Sequence, residues 1–477
     1  MDDWDDLLEQ TARLAREWLA SVDGRRVFPE ASVEALRAGF PQDLPEHGED
    51  ASKVIEELAR AAAPGLVASP GPRYFGFVIG GSLPATVAAD WLTSAWDQNA
   101  GLYVSSPASS VIEELAGRWV LEAGGLPAGA GVGFTTGAMM ANFTCLAAAR
   151  SAVLDRAGWD VEALGLQGAP PIRVFVGDEV HATVPAALRL LGLGGKTAIR
   201  VPVDGQGAMR AEALREALRG AGDASAPTIV AAQAGNVNSG AFDPLDEIAE
   251  ATREAGAWLH VDGAFGFWAA ASPALRHLTR GMERADSWTT DAHKWLNVPY
   301  DCGIAIVADP RWQARAMALS AAYLIAADHA RDPYDWVPES SRRGRANTVY
   351  AALRTLGRTG LAALIEDDCA NARRFAAALD GTAGIRILND VVLNQVLVRF
   401  EPHGGEAAGG SAAGDTAAGD ARTRAIIAAV QRDGTMWAGG TTWHGLAAMR
   451  ISVSNWRTTE ADVARSVEAI LRAAAAA

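Results

Sequence analysis

One lysine stands out by its surroundings. Lys294 lies in "DSWTTDAHKWLNVPYDCG", between His293 and Trp295 and just after a short strand-like piece. Lysine is normally a solvated surface residue. In an apolar setting at the mouth of a sheet its amine loses its proton more readily, as attack on an aldehyde to give a Schiff base requires. Three more pieces fall at strand ends. In "GFTTGAMMANFT" a strand runs through a small-residue turn into a helix, so the N–H groups of Gly137, Ala138 and Met139 would point from a helix N-terminus, which favours an anion. His181 in "VGDEVHATVPAAL" follows another strand, and Asp262 in "WLHVDGAFG" ends an apolar one. Taken singly, these read as a tight turn, a cap or surface histidine and a helix-capping aspartate. Taken together they can serve one small molecule. A phosphate would sit on the turn, an aromatic ring against His181, a protonated ring nitrogen on Asp262, and an aldehyde on Lys294.

Such residues need a sheet to converge. Strand candidates are Gly131–Thr135, Ile172–Val176, Ala198–Val203, Thr228–Gln233, Trp258–Asp262, Ser287–Thr290 and Gly303–Val307, with helical patterns at Met140–Ala152, Ala211–Arg219 and Leu245–Ala255. The alternation predicts an α/β fold with a mostly parallel central sheet and helices on both faces, whose ligands bind beyond the carboxyl ends of the strands. Residues 1–70 read as an N-terminal helical arm, with Trp4, Leu7, Leu8, Leu14, Trp18 and Leu19 forming one apolar stripe. Residues 71–310 read as the large α/β domain. Residues 311–477 read as a smaller α+β domain with helices at Asn347–Leu356 and Leu361–Leu379. Its Gly/Ala-rich stretch 403–421 reads as a flexible insert.

Composition narrows the partners. The 477 residues hold 42 Lys and Arg against 57 Asp and Glu, a net charge of −15, which argues against nucleic acid or an anionic membrane as partner. Cys145, Cys302 and Cys369 are too few and too scattered for a disulfide scaffold or a cysteine-rich metal site, and no metal is expected. The acidic start, Met1-Asp2-Asp3-Trp4-Asp5-Asp6, is unlike a secretory leader. The longest uncharged stretch, 123–149, carries six glycines and a proline, so it is no membrane helix. A cytoplasmic protein is the expectation.

The pieces "TTGAMMAN", "HATVPAALRLLGLG", "HVDGAFG", "DAHKWLNVPYDCG" and "SRRGRA" resemble the group II decarboxylases, which depend on pyridoxal 5′-phosphate (PLP), relatives of aromatic-amino-acid, glutamate and diaminobutyrate decarboxylases in the aspartate-aminotransferase fold type I. The resemblance runs from about residue 25 to the C-terminus. It implies that Lys294 forms the Schiff base, Asp262 binds the pyridinium nitrogen, His181 stacks on the ring and Ala264 packs against its other face. Gly137, Ala138, Met139, Asp291 and His293 fall around the phosphate. Asp291 stands where many relatives carry Asn, and Met139 and Met140 replace a hydroxyl residue and Glu, leaving more to backbone N–H groups. Asn236 or Asn238 falls near the ring hydroxyl. The resemblance also implies a homodimer with sites at the interface.

The chemistry is coherent on its own terms. A protonated ring nitrogen makes the cofactor an electron sink, and a buried anion at Asp262 keeps that proton in place. After CO₂ leaves, an acid must protonate the α-carbon. Tyr334 in "ARDPYDWVPESSRR" is the candidate and Tyr323 the alternative. Decarboxylation of an L-amino acid to its amine is the first reading. The alternative is transamination or oxidative conversion to an aldehyde, for which Arg450 in "MRISVSNWRTTEADV" could grip an α-carboxylate. A non-catalytic binder would have no use for the amine. The substrate's side chain is not legible in the sequence.

Overall fold

The computed structural model describes residues 4–220, 222, 225–319, 331–402 and 412–477. Its centre is a seven-stranded sheet of β1 (Gly131–Thr135), β2 (Arg173–Gly177), β3 (Ile199–Val201), β4 (Thr228–Gln233), β5 (Trp258–Asp262), β6 (Ser287–Asp291) and β7 (Gly303–Val307), ordered β1-β7-β6-β5-β4-β2-β3. β3, β2, β4, β5 and β6 are parallel neighbours; β7 runs antiparallel to both β6 and β1. The reversal follows from length: the link between β6 and β7 is too short for a crossover helix.

Strands β1, β4, β5, β6 and β7 are buried at every residue, as a sheet covered on both faces demands. Side chains alternate between faces. Val230, Leu259, Val261 and Ile304 enter one core; Ile229, Ala231, Trp258 and Ala305 enter the other, against Cys145, Leu146, Ala149 and Val153 of the helix Ala138–Arg156. Helices Pro84–Trp96 and Pro107–Gly124, which the strand-and-helix pattern of the sequence did not reveal, bring the chain to β1. Each starts on a proline, which suits the first helical turn. Buried Ser109, Ser110, Glu113 and Gly117 blur the apolar stripe of the second.

The C-terminal unit is an antiparallel sheet of β8 (Ile385–Ile387), β9 (Gln395–Phe400), β10 (Gly439–Trp443) and β11 (Leu446–Ser452), ordered β10-β11-β9-β8. The two helices expected over 347–379 are both present within Ala346–Leu379, separated by a kink at Gly357 (φ 60°, ψ −172°). The insert expected to be a loop over 403–421 is partly helical. Residues 403–411 lie outside the described set, but the helix Ala412–Asp433 takes up the rest. Alanine has the highest helix propensity, and Asp420 anchors the helix by accepting from Arg399 Nη1 (2.6 Å) and the Ala447 N–H (2.9 Å).

The arm begins with helix Trp4–Ser21, which has no buried residue, and Ala51–Ala62, tied together by Ser52 Oγ donating to Gln10 Oε1 at 2.7 Å. Cys145, Cys302 and Cys369 are unpaired and buried. Among the described residues no helix is long and apolar enough to cross a membrane, and no cluster of side chains could hold a metal ion.

Candidate active site

The carboxyl ends of β5 and β6 and the start of helix Ala138–Arg156 meet at one point. Asp291, the last residue of β6, is buried; its Oδ1 accepts the Ala138 N–H at 2.6 Å and its Oδ2 lies 2.9 Å from Lys294 Nζ. His293 Nε2 stands 3.5 Å from the same carboxylate. Its Nδ1 accepts the Cys302 N–H at 3.1 Å, and its ring stacks on Tyr300 at 4.4 Å between centroids. The turn carrying Lys294 is locked from several sides. Trp295 is fully buried and donates its indole N–H to Asp368 Oδ2 at 2.8 Å. Asn297, in the left-handed region at φ 54°, donates to the carbonyls of Trp295 and Ser454 and accepts from the Gly81 N–H. A β-carbon on Gly80 would lie 1.8 Å from the Lys294 carbonyl oxygen, so no side chain fits there.

Asp262 ends β5 and is 4% exposed. It accepts the Ala264 N–H at Oδ1 (3.1 Å) and the Asn142 amide at Oδ2 (3.0 Å). Asn142 sits one turn into the helix that starts at Ala138, and its oxygen lies 2.7 Å from His260 Nε2. Burial holds His260 neutral, its pKa down at about 4. His181 donates its backbone N–H to Gln233 Oε1, and its Nδ1 lies 2.8 Å from the Thr183 hydroxyl. Burial depresses its pKa, Asp262 opposes that, and Lys294 and Arg450 add to it.

Lys294, His293, Asp291, Asp262, Ala264, Ala138 and His181 thus belong to one connected cluster, with Gly137 and Met139 flanking Ala138 at the helix start. Tyr334 takes no visible part in it: its N–H donates to Gly101 and its hydroxyl to the Leu319 carbonyl at 3.4 Å. Tyr323 lies outside the described residues. Arg450, in β11, reaches Asn238 Oδ1 at 3.4 Å and has no carboxylate within ion-pair distance among the described residues. Asn236 caps its own turn, accepting from the N–H groups of Asn238 and Ser239. Asn142, Thr183 and His260 escaped the sequence reading. One signal for His260 was available: in "WLHVD" it stands two residues before Asp262, hence on the same face of the strand.

These donors suit a molecule with an aldehyde, a phosphate and a basic ring nitrogen. A mostly buried amine and a helix N-terminus meet at Asp291, whose own N–H donates to the carbonyl of Ala264, and the Ala264 N–H donates to the buried Asp262 carboxylate. Asp291 alone opposes a phosphate, and Lys294 and His293 both stand against its charge. The turn at Gly137 is held closely: a β-carbon on Gly303 would meet its backbone at 2.3 Å.

Comparison with known proteins agrees. Residues 34–401 match the model of the pyridoxal-dependent decarboxylase conserved domain. The aromatic-L-amino-acid decarboxylase of Bos taurus is 30% identical over 409 residues, covering 81% of this chain and 81% of the bovine protein. The 4-hydroxyphenylacetaldehyde synthase of Rhodiola rosea is 27% identical over 369 residues, covering 75% and 74%. Among solved structures, Oryza sativa TDC with PLP and tryptamine superposes at a TM-score of 0.90 with 24% identity, covering 99% of this chain and 98% of that one. The chain therefore belongs to the pyridoxal-dependent decarboxylase family, with PLP as its cofactor and loss of CO₂ from an amino acid as its reaction.

Proposed function

We propose that this enzyme releases CO₂ from an L-amino acid and returns the amine, with Lys294 holding the cofactor's aldehyde carbon. One observation carries the assignment. The sequence contains three lysines, and Lys53 and Lys196 are exposed, whereas the Lys294 side chain is 18% exposed at the mouth of the sheet. When bound, the cofactor supplies an electron sink for the α-carbon. Asp262 holds a proton on the ring nitrogen, His181 stacks on one ring face and Ala264 backs the other. The N–H groups at Gly137 and Met139, with His293 and with Ala138 once its N–H leaves Asp291 Oδ1, hold the phosphate, and Asp291 positions the Lys294 amine. Tyr334 is the acid assigned to return the proton to the α-carbon; burial raises its pKa, so it keeps that proton at neutral pH.

Three further features belong to this reading. The chain is divided at about residues 70 and 310 into arm, cofactor domain and small domain. It works as a homodimer, supported by the exposure of Trp4, Leu8 and Leu19 along the apolar stripe of the arm. It acts in the cytoplasm, where its unpaired cysteines would stay reduced. The test is borohydride reduction of the PLP-loaded enzyme, followed by peptide mass analysis and a screen of amino acids for CO₂ release. Label on the Lys294 peptide alone, with loss of label and turnover in Lys294→Ala, is expected. Label elsewhere overturns the assignment. The similarity to an aldehyde synthase favours a second outcome for the same site: aldehyde with oxygen uptake from the wild type would select it, and stoichiometric keto acid would mean transamination. With amine as the wild-type product, Tyr334→Phe should shift output toward aldehyde. An unchanged ratio would move the proton donor to Tyr323 or His181.

A further inference from the structure

We propose that a single amide, Asn142, orients the Asp262 carboxylate and fixes the proton position of His181, the two groups that face the cofactor ring, and that a buried chain from Trp258 through Ser287 and His260 orients the amide. The inference rests on Asp262 and His181 being ring contacts.

The chain can be read in one direction only. Trp258 Nε1 can donate but not accept, and it lies 2.9 Å from Ser287 Oγ. Ser287 Oγ lies 2.9 Å from His260 Nδ1, and His260 Nε2 lies 2.7 Å from Asn142 Oδ1. At the far end the Asp262 carboxylate accepts but cannot donate, so the amide must turn its nitrogen to Asp262 and its oxygen to His260. His260 then carries its proton on Nε2. Its bare Nδ1 takes the Ser287 hydroxyl hydrogen, and the Ser287 oxygen receives the indole N–H. With the proton on Nδ1 instead, a ring lone pair would face the amide oxygen at 2.7 Å.

The second amide hydrogen sets the other branch. Asn142 Nδ2 lies 3.2 Å from Thr183 Oγ1, whose own hydrogen is left to point at His181 Nδ1, 2.8 Å away. The Thr183 backbone N–H points at the same ring nitrogen at 3.3 Å. His181 therefore keeps its proton on Nε2. Trp258, Ser287, His260, Asn142 and Asp262 are all at most 4% exposed, so water does not compete and each bond polarises the next. No member but Asp262 needs to carry charge. The pKa of His260, down at about 4 through burial, fits a neutral ring at every working pH.

The amide thus acts as a positioning group for Asp262 and His181 without touching the ring. A flipped amide would set its oxygen against the Asp262 carboxylate. Equilibrium dialysis of the apoprotein against pyridoxal phosphate, with apoprotein melting temperatures, tests this. His260→Leu and Asn142→Asp should weaken pyridoxal phosphate binding by about tenfold or more, the range for losing a hydrogen bond to a charged group. His260→Gln, which can still donate to Asn142, should recover most of the loss at a melting temperature equal to that of His260→Leu. Equal losses in the Gln and Leu variants would mean ordinary packing and overturn the proposal, as would wild-type affinity in Asn142→Asp. Thr183→Val cuts only the His181 branch and tests the chain where His260→Leu fails to fold. It should weaken binding and shift the pH dependence of the visible absorption of the loaded protein, and no change in either overturns the branch. Asp262→Ala separates the two levels: wild-type affinity there removes Asp262 from the ring altogether, whereas a loss there without one in His260→Leu removes only the chain.

Discussion

In the proposed reading, Asp262 is the residue on which the electronics of the site turn. Its carboxylate has two protein donors and is nearly sealed from water, so its charge can hold a ring proton with little competition. Asp262→Asn keeps the shape and removes the charge. We expect kcat to fall by about two to three orders of magnitude, about 3–4 kcal/mol of transition-state stabilisation. Steady-state kinetics at saturating cofactor checks this, and activity within tenfold of wild type would reduce Asp262 to a local cap. Lys294, His181 and Asp262 were legible because each follows a strand, and a sheet of this class presents strand ends to its ligand. Asn142, Thr183 and His260 were not. Only His260 left a trace, two residues before Asp262 on the same strand face; an asparagine inside a helix has no local pattern, and the fold brings the three together.

At the scale of elements, the helix Ala346–Leu379 reaches under the lysine turn through one bond, Trp295 Nε1 to Asp368 Oδ2. Burial raises the Asp368 pKa to about 8 from an ordinary 3.8, so the folded protein keeps a proton there that the unfolded chain gives up. Stability from this group is complete below the unfolded value and is lost as pH rises toward 8. Asp368→Asn retains an acceptor for Trp295 and needs no proton. Its melting temperature should exceed that of wild type by about 2–4 °C or more on the alkaline side of that range, and the gap should narrow steadily as pH falls and close only near the ordinary value of 3.8. Scanning calorimetry across pH decides it; a gap independent of pH would contradict the titration. The sheet was readable from its apolar strands, yet the direction of β7 was not, because orientation depends on the link before it. Likewise Asp420 anchors a helix within a stretch whose composition alone suggested a loop.

For the whole molecule, the arm is the unbalanced part. Trp4 is 75% exposed, Leu8 and Leu58 are also uncovered, and so are Trp91 and Trp96 of the helix Pro84–Trp96 in the large domain. A second copy of the chain would cover these faces, and sedimentation should give a dimer of twice 49.8 kDa at assay concentration. Leu8→Glu combined with Leu58→Glu should shift it toward monomer and lower activity several-fold, while a fully active monomer would refute the assembly. The stripe was visible in the sequence as period alone. Its lack of cover required the fold, where no residue of the first helix is buried.

The three unpaired cysteines have a practical corollary. Cys145, Cys302 and Cys369 lie inside the protein, and burial pushes each thiol above its ordinary pKa, so none offers a thiolate to a reagent in the native state. The wild-type chain is therefore a silent background for maleimide chemistry. A cysteine introduced on the arm, or beside Tyr334, would be the one reactive handle on each chain, so a fluorophore or spin label could follow assembly and the surroundings of Tyr334 without first stripping out the native sulfur.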